Sequence, residues 1–87
     1  MRVARLSPTS PREFLSACFD DPWMWGLLRR HGLRPGRIGV VTLLLFHQAK
    51  LPLAVVRDFL RTLGDVTEPR AVLDRAEVFV QRVADGR

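Results

Sequence analysis

Side chains that do acid–base, nucleophilic or metal chemistry are scarce in this chain. Its 87 residues include one cysteine, Cys18, and two histidines, His31 and His47. No His-x-x-x-His, Cys-x-x-Cys or carboxylate–histidine spacing is present, and those are the spacings that bind zinc. Cys18 stands among apolar residues at helical spacing, which favours a small core residue over a nucleophile. We therefore expect no catalysis, no metal and no cofactor.

The adjacent carboxylates Asp20 and Asp21 are the remaining candidate for acid–base or metal chemistry. Asp21 directly precedes Pro22. An aspartate followed by proline is typical of a helix N-terminus, where the carboxylate accepts hydrogen bonds from backbone N–H groups. We interpret this pair as part of a helix cap.

Binding chemistry is concentrated in residues 29–37, which hold Arg29, Arg30, Arg34 and Arg37. The whole chain has a formal net charge of +5, with thirteen arginines and one lysine. Such a dense basic segment attracts nucleic-acid phosphates or an acidic protein surface. Trp25 lies four residues before Arg29, a spacing that allows a cation–π contact. The alternative is a solvated loop whose arginines reflect a bias in composition, and the scarcity of lysine supports it. Both interpretations stay open.

Proline and glycine mark the elements that must position these residues. Prolines at positions 11, 22, 35, 52 and 69 each precede an apolar run, and proline suits the first turn of a helix. Ser10, Asp21 and Thr67 are candidate caps beside three of them. Gly32 and Gly64 follow segments with basic residues, as glycine does after a helix C-terminus.

The pattern predicts an all-α fold, a small single-domain bundle of about five short helices. The domain spans residues 1–87, with residues 1–8 frayed. Two pairs at i,i+4 spacing, Trp23 with Leu27 and Met24 with Leu28, are expected on the buried side of the second helix. In the last helix the expected buried stripe is Val72, Leu73, Ala76, Phe79, Val80 and Val83.

The third segment, residues 38–46, is apolar on every side and β-branched at its start. A buried strand and a central helix both fit such a run. The helix is favoured, because a lone strand would have no pairing partner elsewhere in this chain.

Residues 42–61 resemble the helix-turn-helix of small transcription regulators. Apolar residues stand at the positions where the two helices contact each other: Leu45, Ala49, Leu51, Val56 and Phe59. Pro52 would open the second helix after a short turn, and Arg57 and Arg61 would be its donors to DNA. Phe46 and Lys50 depart from the pattern, which prefers a small residue and a turn glycine there. The resemblance implies a DNA-binding transcription regulator.

The leading interpretation is a non-catalytic, nucleic-acid-binding regulator that contacts the phosphate backbone. The alternative is a helical adaptor for protein–protein interaction or self-association, including a homodimer. Trp25, Val55 and Val78 are apolar residues outside the main stripes and could serve it. The apolar runs are too short to span a membrane, and no signal sequence is apparent. A cytoplasmic protein without a membrane partner is expected.

Overall fold

A computed structural model describes residues 10–86, and these fold into five α-helices without a strand. The helices are α1 (Pro11–Asp20), α2 (Pro22–Arg30), α3 (Arg37–Gln48), α4 (Leu53–Thr62) and α5 (Pro69–Asp85). The all-α prediction is therefore confirmed. The expected fraying of residues 1–8 lies outside the described residues.

The first two helices begin at the predicted caps. Ser10 Oγ accepts the backbone N–H of Glu13 at 3.2 Å. Asp21 Oδ1 accepts the N–H groups of Trp23 at 3.0 Å and Met24 at 3.4 Å. Because each bond satisfies a donor that has no partner within its helix, these side chains fix where α1 and α2 start.

The later helix starts differ in detail from the prediction. Pro69 opens α5, but its N-cap is Glu68 and not Thr67. Pro52 is itself the N-cap of α4, and Pro35 stands one residue before Gly36, the N-cap of α3. Proline at these positions sets the extended approach to the helix, because its ring clashes with a helical conformation of the residue before it.

Two helices end in the same left-handed turn. At the end of α2, Gly32 has φ +74°, and the N–H of Leu33 donates to the carbonyl of Leu28 at 2.8 Å. At the end of α3, Lys50 has φ +61°, and the N–H of Leu51 donates to the carbonyl of Phe46 at 3.1 Å. Both are Schellman motifs, which normally place glycine at the left-handed residue.

Lys50→Gly is expected to raise the free energy of unfolding by about 1 kcal/mol. A residue with a Cβ costs about 1–2 kcal/mol in the left-handed region, partly offset by the greater freedom of glycine in the unfolded chain. Urea unfolding measures the change. Lys50→Ala is the matched control, since it removes the charge but keeps the Cβ. A gain in stability from alanine as large as that from glycine would contradict this explanation.

Residues 38–46 lie within α3 and are therefore helical, as favoured above. Helix α3 lies at the centre of the bundle. Helix α1 packs against α2 and α3, α2 packs against α4, and α3 packs against α5. The buried side of α3 is formed by Gly39, Thr42, Leu43 and Phe46. Gly39 lies against the carbonyl of Arg34. This contact brings the preceding loop close to α3.

The core joins all five helices. Its buried apolar residues are Phe14, Cys18, Met24, Leu28, Leu33, Leu43, Phe46, Val56, Phe59, Leu60, Leu63, Val72, Leu73 and Ala76. His31 is buried as well, and its Nδ1 lies 2.6 Å from the carbonyl oxygen of Val66. That hydrogen bond fastens the end of α2 to the loop between α4 and α5.

Two expectations about helix faces are wrong. Trp23, placed on the buried stripe by its spacing to Leu27, is 46% exposed. On α5 the expected stripe is buried only as far as Ala76. Beyond it Phe79 is partly buried and Val83 is 37% exposed. The reason is that the C-terminal end of α5 extends past the core, with every residue from 81 to 86 exposed.

Candidate functional site

The four arginines of residues 29–37 are all exposed, and we call them together the basic corner: Arg29, Arg30, Arg34 and Arg37. Arg29 and Arg30 are in the last turn of α2, Arg34 is in the loop, and Arg37 is the first residue of α3. Within residues 10–86 the arginine ion pairs are those of Arg57 and Arg61, so none involves the basic corner. These guanidinium groups are available to an external anion.

Trp25 lies beside the basic corner and makes the predicted contact. The guanidinium carbon of Arg29 lies 5.9 Å from the centroid of the Trp25 ring. The ring also meets Phe19 edge-on at 5.6 Å and packs against the core as a partly buried residue. The Trp25 ring therefore lies between Arg29 and the core, and it is less exposed to a binding partner than the Trp23 ring.

A second aromatic and basic group lies between α2 and α4. We call Trp23, Arg57 and Arg61 the tryptophan–arginine cluster. The guanidinium carbons of Arg57 and Arg61 lie 5.1 Å and 4.7 Å from the centroid of the Trp23 ring. Arg57 and Arg61 lie on α4 and are the donors expected from the helix-turn-helix resemblance. The sequence analysis did not predict their contact with Trp23. The signal available was the i,i+4 spacing of the two arginines on one side of α4.

Arg57 is anchored, whereas Arg61 is not. Arg57 Nη2 donates to Asp21 Oδ2 at 2.7 Å. Partial burial of Asp21 opposes ionisation, but the bond from Arg57 and the amides of Met24 and Trp23 prevail and lower the pKa of Asp21. Arg61 approaches Asp58 only at 3.9 Å, with both side chains largely exposed. Such a surface pair constrains Arg61 little.

Arg30 of the basic corner lies on the same side of α2 as Trp23 of the tryptophan–arginine cluster. Arg30 follows Trp23 by seven residues, which is about two helical turns and about 10 Å along the axis. Residues 22–57 contain no aspartate or glutamate, but they contain five arginines and one lysine. The absence of acidic residues is visible in the sequence. It shows that the basic segment extends well beyond residues 29–37. Helices α2 and α3 and the first half of α4 thus carry only positive charge.

The start of α3 adds to this positive potential. Helix α3, like α4 and α5, has neither a side-chain cap nor an acidic residue in its first turn. Its first residue is Arg37, a cation at the positive end of the helix dipole, where an anion is favoured. Oxygen atoms of a bound phosphate would relieve this unfavourable arrangement.

The residues able to do covalent or metal chemistry are engaged in packing. Cys18 is fully buried, and burial raises the pKa of its thiol to about 12, so the thiolate is not formed near neutral pH. His47 is partly buried and meets the Phe14 ring at 5.4 Å, as expected of a packing residue. Among residues 10–86, no group of three or more His, Cys, Asp or Glu side chains is placed to hold a metal ion.

Comparison with protein-family models, curated proteins and solved structures found no match to this chain. Among residues 10–86, no helix has the length and apolar character needed to cross a membrane.

Proposed function

We propose that this chain is a nucleic-acid-binding module that holds the phosphate backbone through the basic corner. The observation that carries the proposal is the continuous stretch of residues 22–57, in which every charged side chain is basic. A segment whose charged side chains are all positive raises the local concentration of a polyanion and orients it during encounter. Arginine suits phosphate in particular, because its planar fork donates two parallel hydrogen bonds.

The arrangement favours contact with phosphate over the reading of bases. Arg57, one of the two donors of the second helix in the helix-turn-helix interpretation, is bound to Asp21 and stacked on Trp23. Arg61 is the freer donor on that helix, and Ala54 is an exposed neighbour that offers no donor. Contacts to phosphate fix the position of a protein on nucleic acid but carry no sequence information.

The turn between α3 and α4 has a length compatible with a helix-turn-helix-like regulator. Four residues separate Gln48 from Leu53, the last of α3 and the first of α4. The turn contains Lys50 in the left-handed conformation that the pattern usually gives to glycine. A role in transcription regulation and a cytoplasmic location are parts of this proposal.

The test compares two double variants that remove the same charge. Arg34→Ala with Arg37→Ala removes two side chains of the basic corner. Arg12→Ala with Arg70→Ala removes two exposed arginines outside residues 22–57. Binding to a labelled DNA duplex is measured by fluorescence anisotropy at several salt concentrations.

The first double variant is expected to bind more weakly, and its salt dependence should be shallower by about 0.9 for each phosphate group that it no longer neutralises. The second is expected to keep the wild-type slope. Folding of both should be nearly unchanged, since exposed arginines contribute little to stability. An equal reduction of affinity in both variants would show that net charge acts without a site, and would contradict the proposal. Absence of binding by the wild type would favour the protein adaptor.

A further inference from the structure

The outer side of α5 carries a short row of residues that nothing within residues 10–86 covers. Asp74, Val78 and Arg82 follow one another at four-residue spacing, so they form one ridge along the helix. We call them the α5 ridge. Val78 is 56% exposed, the most exposed large apolar side chain among the described residues. Neither Asp74 nor Arg82 forms an ion pair within residues 10–86.

The α5 ridge borders a groove between α4 and α5 of about 390 Å³. Its apolar lining includes Phe59, Leu63 and Phe79. Phe79 is partly buried there, because α5 extends past the core at this point. The groove can receive an apolar side chain from another helix, and a charged residue stands on either side of Val78.

The charges of the α5 ridge are complementary to a second copy of the same ridge. Asp74 and Arg82 lie one turn before and one turn after Val78, about 6 Å away along the axis in each direction. A two-fold axis through Val78 would therefore oppose Asp74 of each copy to Arg82 of the other. A parallel arrangement would oppose like charges, which is destabilising. The self-complementary order selects an antiparallel, isologous pair.

We propose that the protein forms a homodimer by antiparallel pairing of its α5 ridges. The occupant of this face is then a second copy of this chain, with Val78 of each copy placed against Val78 of the other, beside the two grooves. The basic corner is on other helices, so this inference does not depend on the proposed function.

The test uses charge reversal in the full chain, with mass measured by sedimentation velocity over a range of concentrations. Asp74→Arg and Arg82→Asp should each weaken dimerisation by at least about tenfold, because each creates two like-charge pairs across the axis. Mixing these two variants should restore a heterodimer, since both pairs become attractive again. The double variant, with both charges exchanged, should dimerise like the wild type.

Both positions are exposed, so circular dichroism should show unchanged helicity in every variant. A wild type that stays monomeric at all concentrations would overturn the proposal. So would single variants that dimerise as well as the wild type, or a mixture that dimerises no better than each variant alone. Any of these results would leave the salt-dependent test of nucleic-acid binding unaffected.

Discussion

Phe46→Ala is expected to lower the free energy of unfolding by about 3–5 kcal/mol, the range for removal of a buried aromatic ring. Phe46 is 1% exposed. Its ring lies 5.3 Å from that of Phe59 and 6.1 Å from that of Phe79, measured between centroids. It therefore joins α3, α4 and α5, and its removal leaves a cavity where three helices meet. Domains of this size are only marginally stable, so a large fraction of the protein should unfold.

The matched control is Phe79→Ala, which removes the same side chain from the same ring group. Because Phe79 is only partly buried, its removal should cost about half as much as that of Phe46. Both values come from urea unfolding followed by circular dichroism. An equal or larger effect at Phe79 would mean that another chain covers the end of α5, as it does in the dimer proposed here. Measurement at a concentration that dissociates the dimer separates the two causes.

Gly32→Ala is the second substitution with a large expected effect, a decrease of about 2–4 kcal/mol in the free energy of unfolding. Gly32 has φ +74°, which disfavours any residue with a Cβ. A Cβ there would also collide with the backbone carbonyl of Thr67. The loop cannot easily retreat, because His31 holds the neighbouring carbonyl of Val66 at 2.6 Å.

Two other glycines separate these causes. Gly64 has φ +64° but open space where a Cβ would lie, so Gly64→Ala should cost only about 1 kcal/mol. Gly26 is inside α2, exposed and also unobstructed, so Gly26→Ala should stabilise the protein by up to about 1 kcal/mol. If Gly32→Ala cost no more than Gly64→Ala, the contact with Thr67 would have no energetic weight.

Several helix boundaries were predictable because their determinants are local in sequence. Asp21 before Pro22 predicted the start of α2, and Gly32 and Gly64 predicted the ends of α2 and α4. The orientation of the tryptophans was not predictable in the same way. Helix α2 has only nine residues and carries Trp23 and Trp25 on different sides, so apolar spacing does not decide which one is buried.

The candidate site was predictable in part. The exposure of the basic corner follows from its position at a helix end and in a loop, and the contact of Arg29 with Trp25 follows from i,i+4 spacing. The contact of Arg57 with Asp21 joins residues separated by 36 positions in the chain. It depends on how α2 packs against α4, which no local pattern specifies.

The salt dependence of nucleic-acid binding by the wild-type protein tests the central claim most directly. The affinity for a DNA duplex is measured between about 50 and about 200 mM salt, at a protein concentration low enough to keep single protomers. If all four arginines of the basic corner contact phosphate, the logarithm of the binding constant should fall against that of salt concentration with a slope between about −3 and −4. No binding at the lowest salt concentration, or a slope near zero, would contradict the account.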